Sequence, residues 1–467
     1  MTLRRSGLLL LAAVLTAASG ARADENDDLD RIPVPGLSVE DEDRPTAAAG
    51  WRIYLDQALT LPAFRDGLVV PPPSQRRPDW QERLSLDARR TWNLHPQLKA
   101  TYSGRLNLLA EDGGSFPARA NLRHDFREGF ASWEPAPQDY LDVGRINLRS
   151  GVAIGYSPTD FFKTRAVVDR ISNDPSVLRE NRLGTVMLRG LSIGEGGALT
   201  LAYAPSLADP TPVYTGTLPS LDPMLDRTNA DHRLLLKFNR DLFGDLSPEV
   251  LLFRDGSRTR LGANLAHEMR GGVIAYAEWA GGRRASLIEE AARYGRRTGT
   301  IPEAAPRVLP GDRSERFYND LTVGGSYTTD FKVMVNLEYH YHGAGLSRQD
   351  WRNWVDIGSA NAGFPPVTNQ LWYLRSYAGE QQEPLTRHAA FMRIEWSDAF
   401  VPGLKLAGLT SVNLYDGSRL VQVTADYNWS DLWTFGLLAA ATSGGSRSER
   451  GSLPQARAVI FKAARYF

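Results

Sequence analysis

The sequence predicts an all-β fold: a closed antiparallel transmembrane β-barrel of about 18 strands, with 16 as the alternative, joined by long extracellular loops and short periplasmic turns. Three observations predict it. Apolar and polar residues alternate with period two through most of the chain, the connections between these segments alternate in length, and the N-terminus reads as an export signal. Composition narrows the field further. The 467 residues include no cysteine, so a disulfide framework, a thiol nucleophile, an iron–sulfur cluster and a Cys-based zinc site are excluded. Lys+Arg and Asp+Glu are both 54, a balance that argues against a nucleic-acid partner. After the N-terminus no apolar run approaches the roughly 18–20 residues of a spanning helix, which excludes a helical transporter.

The first segment is an address. Arg4 and Arg5 precede the apolar run Leu8–Leu15, and Ala21-Arg22-Ala23 supplies a small-residue cleavage pattern, so residues 1–23 are expected to be a signal peptide and the mature chain to begin at Asp24. Residues 24–48 follow as a separate acidic segment, with nine Asp and Glu around Pro33 and Pro35 and only Arg31 and Arg44 against them. Such composition favours disorder, and docking or plugging is the sharper alternative. Residues 49–467 form the barrel.

Successive side chains of a strand point to opposite faces, so a wall with lipid on one side and water on the other must alternate. Leu98, Ala100, Tyr102, Leu106 and Leu108 share one face, while Lys99, Thr101, Ser103, Arg105 and Asn107 share the other. Val333, Val335, Leu337 and Tyr339 stand opposite Asn336, Glu338, His340 and His342, and Val421, Val423 and Ala425 stand opposite Gln422, Thr424 and Asp426. Eighteen such segments fall near 50–59, 82–92, 98–109, 121–133, 139–149, 184–193, 197–205, 230–239, 248–255, 258–270, 271–281, 315–328, 331–343, 386–397, 403–415, 418–429, 431–443 and 456–467. The long or variable connections follow the odd-numbered segments, as they do when one rim of a barrel has tight turns and the other has loops. Aromatic residues beside the tight turns, such as Trp429 and Trp433 around Ser430-Asp431, suit an interfacial girdle. Outer-membrane lipid is therefore an expected partner.

The last segment ends at Phe467, with Val459, Phe461 and Ala463 on its face. It resembles the C-terminal signal of Gram-negative outer-membrane barrels, which implies recognition by the outer-membrane insertion machinery; Arg465 departs from the usual pattern, with Tyr466 beside it. A second resemblance lies after the fifth segment. Gly144-Arg145, Gly151 and Pro158-Thr159-Asp160 are similar to the Gly-Arg…Gly…Asn-Pro-Thr-Asp pattern of some large porin-like families, including relatives of alginate-export barrels, with Ser157 in place of Asn. That resemblance implies a monomeric barrel whose arginine-lined lumen passes a polar, often anionic solute. It would place Arg145 and Arg149 at the pore and fold the loop around Pro158, Thr159 and Asp160 inward as a constriction.

Alternation alone nominates further lumen residues. Arg145, Asn147 and Arg149 share a phase, although Leu141 and Val143 share it too, so the pattern slips near Gly144, where a bulge is expected. Arg105, Arg123, Arg127, Lys99, Arg393 and Glu395 are expected to line the pore, mostly pairing across neighbouring strands and leaving selectivity to unpaired arginines. Glu338, His340 and His342 share one face, but alternate strand positions are ~7 Å apart, so a hydrated polar stripe is preferred to a metal site. No other cofactor is expected.

Trp351, Trp354, Trp372 and Tyr373 lie in the connection 344–385, with helices expected near 348–358 and 368–378, to pack the loop or meet sugars. The function predicted is a channel for polar solutes, anionic or saccharide, including polysaccharide export. A barrel scaffold holding a periplasmic or lipoprotein partner is the alternative, followed by an outer-membrane hydrolase, for which no nucleophile elbow is present.

Overall fold

The structure, a computed structural model, describes residues 50–72, 77–111, 122–213, 221–241, 246, 248–269 and 271–467. The expected signal peptide, 1–23, and acidic segment, 24–48, lie outside these residues. Eighteen strands form one antiparallel sheet, and this settles the strand number in favour of the larger count. They are β1 (Trp51–Phe64), β2 (Gln81–His95), β3 (Leu98–Glu111), β4 (Leu122–Ala136), β5 (Asp139–Ile146) and β6 (Thr185–Gly194). Next come β7 (Gly197–Ala204), β8 (Arg233–Arg240), β9 (Glu249–Asp255), β10 (Arg258–Met269), β11 (Val273–Arg284) and β12 (Arg316–Thr328). The last six are β13 (Val333–His342), β14 (His388–Trp396), β15 (Leu404–Asn413), β16 (Arg419–Ser430), β17 (Trp433–Ser443) and β18 (Gln455–Tyr466).

Each strand pairs with its sequence neighbours, and the ladder closes where β1 pairs with β18, from Tyr54↔Tyr466 through Leu59↔Phe461. The amide of Phe467 adds a bond to Ile53 O at 3.0 Å, so the terminal aromatic is part of the seam. Closure leaves no strand edge facing hydrocarbon, where unpaired N–H and C=O groups have no partner. The outward phase carries an apolar belt in which Leu86, Val143, Leu201, Leu252, Leu337, Val423 and Phe461 are all exposed. Trp429, Phe331 and Phe400 stand exposed at the short-turn rim, the position of a girdle. No described helix is long and apolar enough to cross a membrane.

The opposite rim carries the long connections, and within these connections lie the helices α1 (Pro175–Glu180), α2 (Leu225–Thr228), α3 (Leu287–Arg297), α4 (Arg348–Ala360) and α5 (Pro365–Gln381). Ser347 and Asp350 form a reciprocal capping box that starts α4, and Pro365 opens α5, where its missing N–H costs nothing. Trp351, Trp354, Trp372 and Tyr373 are buried in one apolar cluster with Leu287, Leu371 and Tyr377. The Arg375 guanidinium lies 5.2–5.4 Å from the three indole rings. These aromatics therefore pack the outer cap and present no face to a sugar.

One strand departs from expectation. β5 ends at Ile146, three residues early, and its register with β4 runs unbroken from Trp133↔Leu141 to Gly129↔Arg145. No bulge resets the phase at Gly144. Asp142 faces inward, buried and bonded to Arg189 at 2.6 Å, so Arg145, three residues on, falls on the outward face with Val143. Gly144 itself has φ +136°, and a Cβ there would run into Gly129 O and stand 2.7 Å from Phe130 Cα. Only glycine fits that backbone without strain. Gly144→Ala is predicted to cost roughly 1–3 kcal/mol, read as a lower urea midpoint of the folded, heat-modifiable species on a gel.

Candidate functional site: the lumen and its inward loop

The connection between β5 and β6, residues 147–184, turns into the barrel, and its seat is built from carboxylates on the inner wall. Glu278 of β11 accepts hydrogen bonds from the Ala153 amide, from Ser157 Oγ at 2.8 Å and from Thr159 Oγ1 at 3.0 Å. Glu338 of β13 accepts from the Ile154 and Gly155 amides at 2.7 and 2.9 Å and from Tyr276 Oη at 2.6 Å. Consecutive loop amides thus find anionic acceptors on the inner wall, and charge-assisted bonds of this kind are the stronger class. Gly155 permits the approach: a Cβ there would stand 2.6 Å from the Phe391 ring and 2.8 Å from a Glu338 oxygen. Thr322 Oγ1 donates to Tyr156 O at 2.7 Å, and Thr159 Oγ1 bonds Asn264 Oδ1 at 2.8 Å.

Beyond Asp160 the loop crosses the lumen. Phe161 stacks on Phe253 with centroids 4.6 Å apart, and Phe162 joins it against Ile146, Met187, Leu235 and Leu251, an apolar patch on the inner wall. On the far side Asp169 pairs with Arg83 of β2, Asp174 accepts from Arg393 Nε of β14 at 2.9 Å, and the Asn173 amide donates to Gln422 Oε1 of β16 at 2.8 Å. The base of the loop is tied by Arg182, which reaches Asn147 Oδ1 at 2.5 Å, Asp160 at 2.7 Å and Leu148 O at 2.7 Å. Burial alone would raise the Asp160 carboxyl, but Arg182 and Arg179 hold it below the usual carboxylate range.

A cavity of about 310 Å³ remains between the loop and the wall of β13–β16. Its lining includes Lys163, Arg170, Arg179, Arg182 and Arg450 against Asp160, Glu383 and Glu449, with Phe391, Leu409 and Leu420 supplying an apolar side. The Lys163 ammonium is held by Ser157 O at 2.6 Å and stands 4.3 Å from the Tyr156 ring centre. Burial pushes its pKa down to about 8, against the pull of Glu383 and Asp160. Arg170 donates to Gly379 O at 2.8 Å.

Of the residues nominated from sequence, Pro158, Thr159 and Asp160 lie buried in the inward loop, and Asn147 ties its base. Arg145 is corrected. It faces outward over the Phe126 ring, capped by Gly184 O at 2.9 Å and by Pro223 O, because the strand keeps its phase through Gly144. Arg149 stands beyond the end of β5, in the loop rather than on a strand face, and does not line the cavity.

Arg105 and Arg127 are buried on the inward side and share Asp87, at 2.9 and 2.7 Å, and Arg123 is bound to Asp125 at 2.7 Å. Arg393 pairs with Glu395, which also meets Lys405 at 3.3 Å. Lys99 shares the inward phase of Thr101 towards the short-turn rim. Most wall arginines are thus neutralised by wall or loop carboxylates.

Glu338, His340 and His342 do not converge. His340 Nε2 lies 2.6 Å from Glu338, while His342 Nδ1 turns to Asp320 at 2.9 Å. Ligating atoms of Asp320, His342 and Glu383 come within 4.8 Å of one another. Arg284, however, occupies Asp320 at 2.9 Å and Glu383 at 3.1 Å, and Arg260 adds a second bond to Asp320 at 2.9 Å. Guanidinium groups supply the countercharge there, and the cluster fastens the end of α5 to the wall. Sequence reasoning missed Glu278 and Lys163. Their only local signals are a carboxylate in the inward phase of β11 and the one lysine of the loop.

No family model and no curated protein matches the chain. Solved structures do. OccAB1 of Acinetobacter baumannii matches with 9% identity and a TM-score of 0.51, covering 92% of this chain and 99% of that one. OccK5 (OpdH) of Pseudomonas aeruginosa matches with 8% identity over 90% of this chain and 98% of that one, TM-score 0.50. OccK8 (OprE) of the same organism matches with 11% identity, the same coverages and TM-score 0.50. At these identities the likeness is one of fold, that of outer-membrane barrels, and it lends nothing to the alginate-export resemblance. The closed wall and its apolar exterior belong in the outer membrane.

Replacing Glu278 by Ala orphans the loop donors at Ala153, Ser157 and Thr159, a cost of about 1–3 kcal/mol for each buried group left unsatisfied. The loop 147–184 should then be cut by added protease while the barrel stays intact; an uncut loop would remove Glu278 from the seat.

Proposed function

We propose that the chain is a porin-like channel that passes small polar solutes across the outer membrane and prefers anions. One observation carries the preference: among the described residues, the cavity beside the inward loop is lined by five Lys and Arg side chains against three carboxylates. Two of the bases, Lys163 and Arg170, are held by backbone carbonyls, which orient a cation without neutralising it. Elsewhere in the lumen, arginine and carboxylate largely cancel, so the residual field is concentrated at the narrowing. A confined passage with low-dielectric walls focuses such a field and raises the local concentration of the opposite charge. The inward loop supplies the narrowing and limits solute size, and the apolar side formed by Phe391, Leu409 and Leu420 gives a solute body somewhere to lie.

Single-channel recording of the purified barrel in a planar bilayer under a salt gradient tests this reading. A reversal potential on the anion side is expected, and the double substitution Lys163→Gln and Arg170→Gln should cut the permeability ratio by about fivefold, the worth of roughly one unit-charge contact in water. Absence of conductance would instead favour a scaffold that holds a partner.

The Lys163 ammonium adds a pH signature. With its pKa lowered to about 8, the charge is present at pH 7 and mostly lost at pH 9. Anion preference should therefore fall across that interval in the wild type, and the step should vanish in Lys163→Gln.

A further inference from the structure

On the lipid side of β13–β15, at the rim that bears the long connections, the outward phase ends in a compact polar-aromatic cluster. Tyr339 and Tyr341 share this phase with the exposed Leu337, and His388 lies opposite Tyr341 across the β13–β14 ladder. Tyr339 Oη bonds His388 Nδ1 at 2.7 Å, and the His388 ring stands 5.2 Å from Tyr341 and 5.4 Å from Tyr415. The Arg348 guanidinium sits 5.5 Å from the Tyr415 ring centre, and Arg387 donates Nε to Gly345 O at 3.0 Å.

The carboxylates nearest in sequence to Arg387, Arg348 and Tyr415 are Glu383, Asp350 and Asp416, and all are committed elsewhere, Glu383 to Arg284 at 3.1 Å. Asp350 accepts from Ser347 N at 2.9 Å and Ser347 Oγ at 2.6 Å, and Asp416 accepts from the amides of Ser418 and Glu449 at 2.9 and 2.8 Å. Among the described residues, neither Arg348 nor Arg387 has a carboxylate partner.

We infer that this patch binds the phosphate of an anionic glycolipid in the outer leaflet, with Arg348 and Arg387 as the two guanidinium donors and the tyrosines set at headgroup depth. Tyrosine is the side chain that tolerates the boundary between hydrocarbon and water. A guanidinium beside it, without a carboxylate, presents a planar fork suited to a phosphate. The outer rim is also where a phosphorylated headgroup is available to meet it. Its tyrosines and His388 face away from the lumen, and the site does not depend on the proposed transport.

Native mass spectrometry of the full mature barrel, with bis-phosphorylated lipid A and its dephosphorylated counterpart as probes, tests the inference. The wild type should retain the phosphorylated probe and release the other. Arg348→Gln with Arg387→Gln should weaken retention by roughly 30-fold, the effect expected of two arginines at an anionic surface. Channel conductance should not change. If the double variant folds poorly, Arg348→Gln alone, at an exposed helix start, should weaken retention by roughly fivefold. The control pair Arg254→Gln and Arg283→Gln, outward arginines on β9 and β11, should leave it intact. Equal retention of both probes, an unchanged double variant, or an equal loss in the control pair would overturn the site.

Discussion

Everything in this molecule follows from the absence of hydrogen-bonding partners in hydrocarbon. A strand in lipid is tolerable only if both of its edges are paired, so the wall must close, and here β1 meets β18 in register over most of their lengths. Closure then fixes the two-faced character of every strand. Outward positions must be apolar along the belt, and inward positions are free to carry charge because they meet water, the loop or one another.

That freedom is used mostly for neutrality. Arg105 and Arg127 share Asp87, Arg189 meets Asp142, and Arg284 bridges Asp320 and Glu383. Removing one partner from such a buried set strands the other charge, so the inner wall is specified as a network rather than residue by residue. The inward loop belongs to the same network. Its amides and hydroxyls approach Glu278 and Glu338 on one wall, and its Asp169 and Asp174 reach Arg83 and Arg393 on others. A loop anchored on several walls is held across the lumen, and beside it Lys163 and Arg170 are bonded to backbone carbonyls.

The wall was legible in the sequence because lipid and water impose their contrast locally, on neighbouring residues. Each of the eighteen strands overlaps a segment marked by the alternation, including short ones such as β9, and α4 and α5 fall close to the helices expected near 348–358 and 368–378, whereas α1, α2 and α3 carry no such expectation. The lumen was less legible. The Arg145–Asn147–Arg149 phase suggests a reset at Gly144 that would turn Arg145 inward, whereas the pairing with Gly129 shows that the strand continues and the glycine only admits a close backbone. Glu278 shows in the sequence only as a carboxylate in the inward phase of β11, with nothing to mark its partners. Its partners lie more than a hundred residues earlier, and what they offer is backbone N–H and hydroxyl groups that any segment possesses.

The closed seam can be examined directly, since the chain has no native cysteine. Leu59 and Phe461 face each other across β1 and β18, and directly opposed residues of an antiparallel pair lie within disulfide reach. With Leu59→Cys and Phe461→Cys in the folded, membrane-inserted protein, mild oxidation should give an intramolecular cross-link that leaves the folded gel mobility unchanged. Cross-linking only between molecules, or only after unfolding, would contradict a barrel closed by its first and last strands.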